Sequence, residues 1–80
     1  MAASKRNLDL ILAIINEVLD ESGREAVVVV HPATLLVGDL GLDSLDLAVL
    51  MVKVESKTGI DVFADGMVTT IGEILEKIDV

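Results

Sequence analysis

The residues best suited to chemistry lie together in Gly38-Asp39-Leu40-Gly41-Leu42-Asp43-Ser44-Leu45-Asp46-Leu47. Ser44 follows two glycines and an acid and opens an apolar run, so it stands where a loop becomes a helix. Either Asp43 or Ser44 would serve as the N-cap, because a short side-chain oxygen there satisfies a free N–H of the first turn. A hydroxyl at such a junction is exposed. A helix N-terminus also carries unpaired N–H groups and the positive end of the dipole, so a phosphate ester on Ser44 would be favourably placed. Asp43 and Asp46 flank the serine and would help to hold a divalent ion and guide the basic surface of a modifying enzyme. Without a modification they are acids that suit the dipole.

Other chemistries lack the residues they need. Leu42-Asp43-Ser44-Leu45-Asp46 has none of the glycines of a nucleophile elbow. The one histidine, His31, precedes Pro32 in a loop, the setting of a surface or packing residue rather than a base. Asp39 and Asp43 resemble the start of a calcium loop, but Ser44 stands where its glycine belongs and Leu50 where its last glutamate belongs. Gly38 and Gly41 are not followed by the lysine of a phosphate-binding loop. No catalytic residue and no metal site is assigned, and the chain is read as a non-enzyme.

Three periodic segments must position these residues. From Lys5 to Asp20, Leu8, Ile11, Leu12, Ile15, Val18 and Leu19 recur at helical spacing, with Ser4 as N-cap and Gly23 just past the end. The second helix runs from Ser44 to Lys57. The third runs from Thr70 to Ile78, where Thr70 and Glu73 have capping-box spacing and Ile71, Ile74, Leu75 and Ile78 share a face. Between the first two lies a long connection, residues 21–43. Its Val27–Val30 run reads alone as a strand, but no partner strand exists, so it is expected to be an ordered loop packing on the core. His31-Pro32 turns the chain, and Leu35, Leu36 and Leu40 return it inward. Phe63 to Met67 is expected to add one short turn of helix. The expected fold is all-α, a small antiparallel bundle of three main helices plus a short extra helix, with residues 1–80 forming one domain.

The chain has 80 residues, 52% of them hydrophobic, yet Phe63 is its only aromatic. The expected core is aliphatic: Leu8, Ile11, Leu12, Ile15, Val18, Leu36, Leu40, Val62, Phe63, Ile71, Ile74 and Leu75. A net charge of −8, from 14 acids and 6 bases, excludes the basic stripe that nucleic-acid binding needs. It favours solubility and basic partner surfaces. The absence of cysteine rules out disulfides and thiolate metal sites. Asp9, Asn16 and Glu17 interrupt the apolar run from Leu8 to Leu19, which is too short to span a bilayer. These features lead to a cytoplasmic, monomeric protein without stable membrane insertion.

Leu42-Asp43-Ser44-Leu45 resembles the Asp-Ser-Leu attachment motif of acyl carrier proteins and peptidyl carrier domains. Pro32-Ala33-Thr34-Leu35-Leu36 resembles the segment that precedes the motif in that family, and Gly59-Ile60 and the short final helix fall where the family has them. The tripeptide alone is a weak signal. At a helix start, in a chain of this length, order and acidity, it is a strong one. The resemblance implies a covalent 4′-phosphopantetheine on Ser44, with Asp43 and Leu45 as flanking site residues. It implies transfer of that arm from coenzyme A by a phosphopantetheinyl transferase, and an acyl chain held on its thiol as a thioester. The protein would then supply position and recognition to acyl-transferring or condensing enzymes of fatty-acid, lipid or polyketide-type synthesis. An aminoacyl carrier (D-alanyl or peptidyl) shares the motif, and a cofactor-free helical interaction module is the alternative of another class.

The second helix departs from the family pattern, in which acids are typically plentiful there. Its acids are Asp46 and Glu55, offset by Lys53 and Lys57. Leu47, Leu50, Met51 and Val54 form the stripe expected in the core. Leu45, Ala48, Val49 and Val52 form a second, which the resemblance turns toward partners along with Asp46 and Glu55. Either the long loop covers this second stripe, or it is an exposed interaction patch of a specialised carrier whose partners dock more by apolar contact than by charge.

Overall fold

The computed structural model describes residues 5–78. Among them are three helices, α1 (Lys5–Glu21), α2 (Ser44–Thr58) and α3 (Ile71–Ile78). Each boundary lies within one residue of its expected place. α1 is the central element and packs against both α2 and α3. That position explains a residue missed by periodicity: Ile14 lies off the expected stripe yet is fully buried, because a helix between two partners needs a wider apolar arc.

The core is aliphatic, as expected, and adds Leu19, Val30, Leu42 and Val68. Leu8, Leu12, Leu40 and Phe63 are only partly buried against it. Met51 is half-buried rather than a core residue. The expected helical turn at Phe63–Met67 is a run of turns closed by Ala64 N–H to Asp61 O (3.2 Å) and Gly66 N–H to Phe63 O (3.1 Å). The Ser4 cap lies outside the described residues.

Each helix end has a local cause. α1 closes in a Schellman motif: Gly23, at φ +77°, sends its N–H to Asp20 O (3.0 Å) and Arg24 sends its N–H to Leu19 O (2.8 Å). Gly59, also at φ +77°, ends α2 with its N–H on Glu55 O at 2.7 Å. α3 opens on the expected capping box, with Glu73 N–H to Thr70 Oγ1 (3.2 Å) and Thr70 N–H to Glu73 Oε1 (3.1 Å).

The long connection is held at three points, although it forms no strand ladder. Asn16 takes both backbone groups of Val27, with Nδ2 on Val27 O at 3.0 Å and Val27 N–H on Oδ1 at 2.8 Å. Leu35 and Thr70 form an isolated antiparallel bridge, flanked by Leu36 N–H to Thr69 O (2.9 Å) and Ile71 N–H to Thr34 O (3.0 Å). The turns at 35–42 bury Leu36 and Leu42. The loop therefore packs less fully than expected. Val27 and Val30 face inward, but Val28 and Val29, between those anchors, are exposed, and so is Leu35.

Candidate functional site

The site grows from the loop that delivers the chain to α2. Gly41, at φ +72°, turns the backbone so that Leu42 plugs the core. Gly41 N–H is held by Val37 O (3.0 Å) and Leu42 N–H by Leu36 O (3.1 Å). With Leu42 fixed, Asp43 becomes the N-cap in extended backbone (φ −99°, ψ −176°).

Asp43 and Asp46 form a reciprocal capping box. Asp46 N–H donates to Asp43 Oδ1 at 2.8 Å, and Asp43 N–H donates to Asp46 Oδ2 at 3.1 Å. The Asp46 N–H is the main reason that the Asp43 carboxyl lies below the usual carboxylate range, and the Arg24 guanidinium adds to it.

Of the two candidate caps, then, the structure selects Asp43, and Ser44 is the first helical residue. Its side chain is exposed and, among the described residues, its hydroxyl makes no hydrogen bond. Asp43 does the capping, so Ser44 Oγ is left for other chemistry. His31 is exposed, and only its backbone N–H is engaged, by Thr34 Oγ1 at 2.8 Å.

The flanking acids do not behave alike. Asp43 stays largely in solvent, but Asp46 is 7% exposed and paired to Arg24 Nη1 at 2.9 Å. Asp46 was expected to face partners. The capping box and the ion pair turn it inward, so its charge is already met inside the protein. Arg24 was not singled out from the sequence. Its one legible signal is its place just after the helix-ending Gly23. Among the described residues, no group of three or more potential metal ligands is assembled.

Two grooves flank α2. One, of about 240 Å³, is lined by Ser44, Leu47, Ala48, Met51, Phe63 and Met67, an almost wholly apolar wall beginning at the serine. The other, of about 210 Å³, lies toward α1 and is lined by Val18, Glu21, Ser22, Leu45, Asp46 and Val49. The long loop leaves the second stripe of α2 open: Leu45 is 71% and Val52 58% exposed, and Ala48 is exposed between them. Val49 is half-buried and Glu55 exposed. Lys53 leans away to α1, reaching Glu17 at 3.2 Å and Glu21 at 3.1 Å.

A family model described as "Phosphopantetheine attachment site" matches residues 9–78. Neither the curated proteins nor the solved structures yield a match. No helix among the described residues is long and apolar enough to cross a membrane.

Proposed function

The chain belongs to the phosphopantetheine attachment family, whose members are non-catalytic carriers of a covalent 4′-phosphopantetheine on a serine, and on that premise we propose that Ser44 is the attachment residue and that the cargo is an acyl chain. The observation that carries the assignment is the unengaged, exposed Ser44 hydroxyl at the first position of α2. The residues fit the group. A phosphodiester there lies at the positive end of a fifteen-residue helix. When bound, the arm supplies a thiol on which cargo is held as a thioester. Asp43 remains solvent-facing beside the serine and is the flanking acid offered to the transferase. Leu45 is its apolar neighbour.

The groove that starts at Ser44 supports an acyl cargo. Its walls are Leu47, Ala48, Met51, Phe63 and Met67, with no ionisable side chain. A free amino group there would have no carboxylate to meet it, whereas an aliphatic chain would exchange water for hydrocarbon. Partners of the loaded carrier, acyl-transferring or condensing enzymes, would read the exposed strip of Leu45, Ala48 and Val52 with half-buried Val49 beside it and Glu55 at its far end.

Incubation with coenzyme A and a phosphopantetheinyl transferase, followed by intact-mass measurement, tests the assignment. A gain of one phosphopantetheine that disappears in Ser44→Ala is the expected result. Failure to gain it with several active transferases, or an undiminished gain in the variant, would overturn it.

A further inference from the structure

Among the described residues no hydrogen bond fixes the Ser44 hydroxyl, so the backbone on either side must set its position. Among the described residues, that backbone has one ionic tie to a distant segment. Arg24 Nη1 donates to Gly41 O at 2.8 Å and pairs with Asp46 Oδ2 at 2.9 Å, while Nη2 stands 3.9 Å from Asp43 Oδ2. The three contacted residues bracket Ser44 in sequence. The other hydrogen bonds of this loop and helix start are local: Gly41 N–H to Val37 O, Leu42 N–H to Leu36 O, Leu47 N–H to Asp43 O and those within the capping box. Arg24 itself is held, because its N–H closes the Schellman motif of α1 on Leu19 O. The guanidinium is thus a strut between a fixed helix end and the segment that presents the serine.

Two physical points give the strut a role beyond general stability. Asp46 Oδ2 accepts Asp43 N–H and pairs ionically with Arg24 Nη1 at 2.9 Å, so losing the guanidinium leaves a nearly buried carboxylate without its counter-charge and weakens the box around Ser44. Gly41 O is the one backbone acceptor of the strut, and it precedes the plug residue Leu42 by one position. Both effects act on the path of residues 41–46, which shares only Leu45 with the α2 docking strip.

We propose that Arg24 is a positioning residue for the modification of Ser44, holding the acceptor hydroxyl where the transferase can use it. This rests on the assignment of Ser44 as the acceptor. The expected signature is a loss in the transfer step rather than in carrier binding, since a small misplacement of a reacting group is felt mainly in rate.

Steady-state transfer kinetics on the wild type, Arg24→Ala, Arg24→Lys and Lys53→Met test it. Lys53→Met removes the ion pairs that tie α2 to Glu17 and Glu21 of α1 and serves as a packing control. Arg24→Ala should lower kcat about ten-fold with KM for the carrier changed less than about two-fold. Arg24→Lys, which keeps the charge but loses the planar fork, should restore kcat in part. Lys53→Met should leave kcat unchanged. Amide exchange at Asp46 N–H should quicken in Arg24→Ala, a readout independent of the transferase.

An unchanged kcat in Arg24→Ala, a change in KM alone, or an equal loss of kcat in Lys53→Met would each overturn the proposal. If Arg24→Ala does not fold, wild-type kcat in Arg24→Lys overturns it and an intermediate value supports it. A wild type that never gains the arm would instead defeat the Ser44 assignment, and this inference with it.

Discussion

At the scale of the residue, the informative contrast is between two neighbouring oxygens. Asp43 and Ser44 are equally good caps on paper. The cap falls to Asp43 because buried Leu42 fixes the backbone one residue earlier. Carboxylates used in this way tie stability to pH. The Asp43 and Glu73 carboxyls both lie below their ordinary values, Asp43 chiefly through the Asp46 N–H and Glu73 chiefly through the Thr69 hydroxyl. A lowered folded pKa gives stability that is complete above the ordinary values of 3.8 and 4.5 and lost as pH falls through the lowered ones. Lys53 has the opposite sign: the Glu21 and Glu17 carboxylates raise it above 10.5, so its contribution is full below that value and fades as pH rises past it. The thermal midpoint should therefore be flat near neutrality, fall on acidification below pH 4.5 and fall again above pH 10.5. Glu73→Gln should blunt the acid limb alone. Melts followed by circular dichroism across pH would show this, and an acid limb of unchanged steepness in the variant would count against it.

At the scale of the element, helix ends carry more information than helix middles. Glycine ends α1 and α2 for the same reason, a left-handed turn that other residues adopt at a cost of about 1–2 kcal/mol. Gly72 is a different case. Its backbone is ordinary, but a Cβ built on it would stand 2.9 Å from Pro32 O and 3.3 Å from Pro32 Cβ. Gly72 N–H donates to that same carbonyl at 2.8 Å, so α3 and the long loop touch backbone to backbone. Alanine would normally gain about 1 kcal/mol over glycine inside a helix. Here the carbonyl cannot yield without breaking the contact, so Gly72→Ala should instead cost about 1 kcal/mol in chemical denaturation. A stabilised variant would show that the loop gives way freely. Asn16 illustrates the same limit of reading. In sequence it breaks an apolar run, and in the fold it holds Val27 with two hydrogen bonds.

At the scale of the whole molecule, the strongly negative net charge is unevenly available. Arg24 occupies Asp46, and Lys53 occupies Glu17 and Glu21. What α2 leaves in solvent on this face after Ser44 is Leu45, Ala48 and Val52, with Glu55 about three turns beyond Ser44. Binding to a cognate enzyme should therefore be driven largely by apolar burial. Its Kd should change less than about three-fold between roughly 0.1 M and 1 M salt, a range that shortens the Debye length from about 10 Å to 3 Å. Leu45→Asp should weaken it at either salt. A steep loss of affinity with salt in the wild type would show that charge still governs docking.

The division between sequence and tertiary structure follows the range of the interactions. The three helices, their ends, the Thr70–Glu73 box and the Ser44 motif were legible because periodicity, caps and glycine turns act within a few residues. Ile14 was not legible, because its burial depends on α1 lying between two other helices. The inward turn of Asp46 was equally hidden, because it requires Arg24 to arrive from 22 positions earlier in the chain. The same holds for the groove beside Ser44, which needs Phe63 and Met67 brought to α2 by the connection to α3. The sequence by itself determined that a serine is offered at a helix start. The tertiary structure decided that its hydroxyl is spared from capping, that Gly41 and Asp46 around it meet a distant arginine, and that an apolar groove borders it, because those contacts join segments that only the folded path brings together.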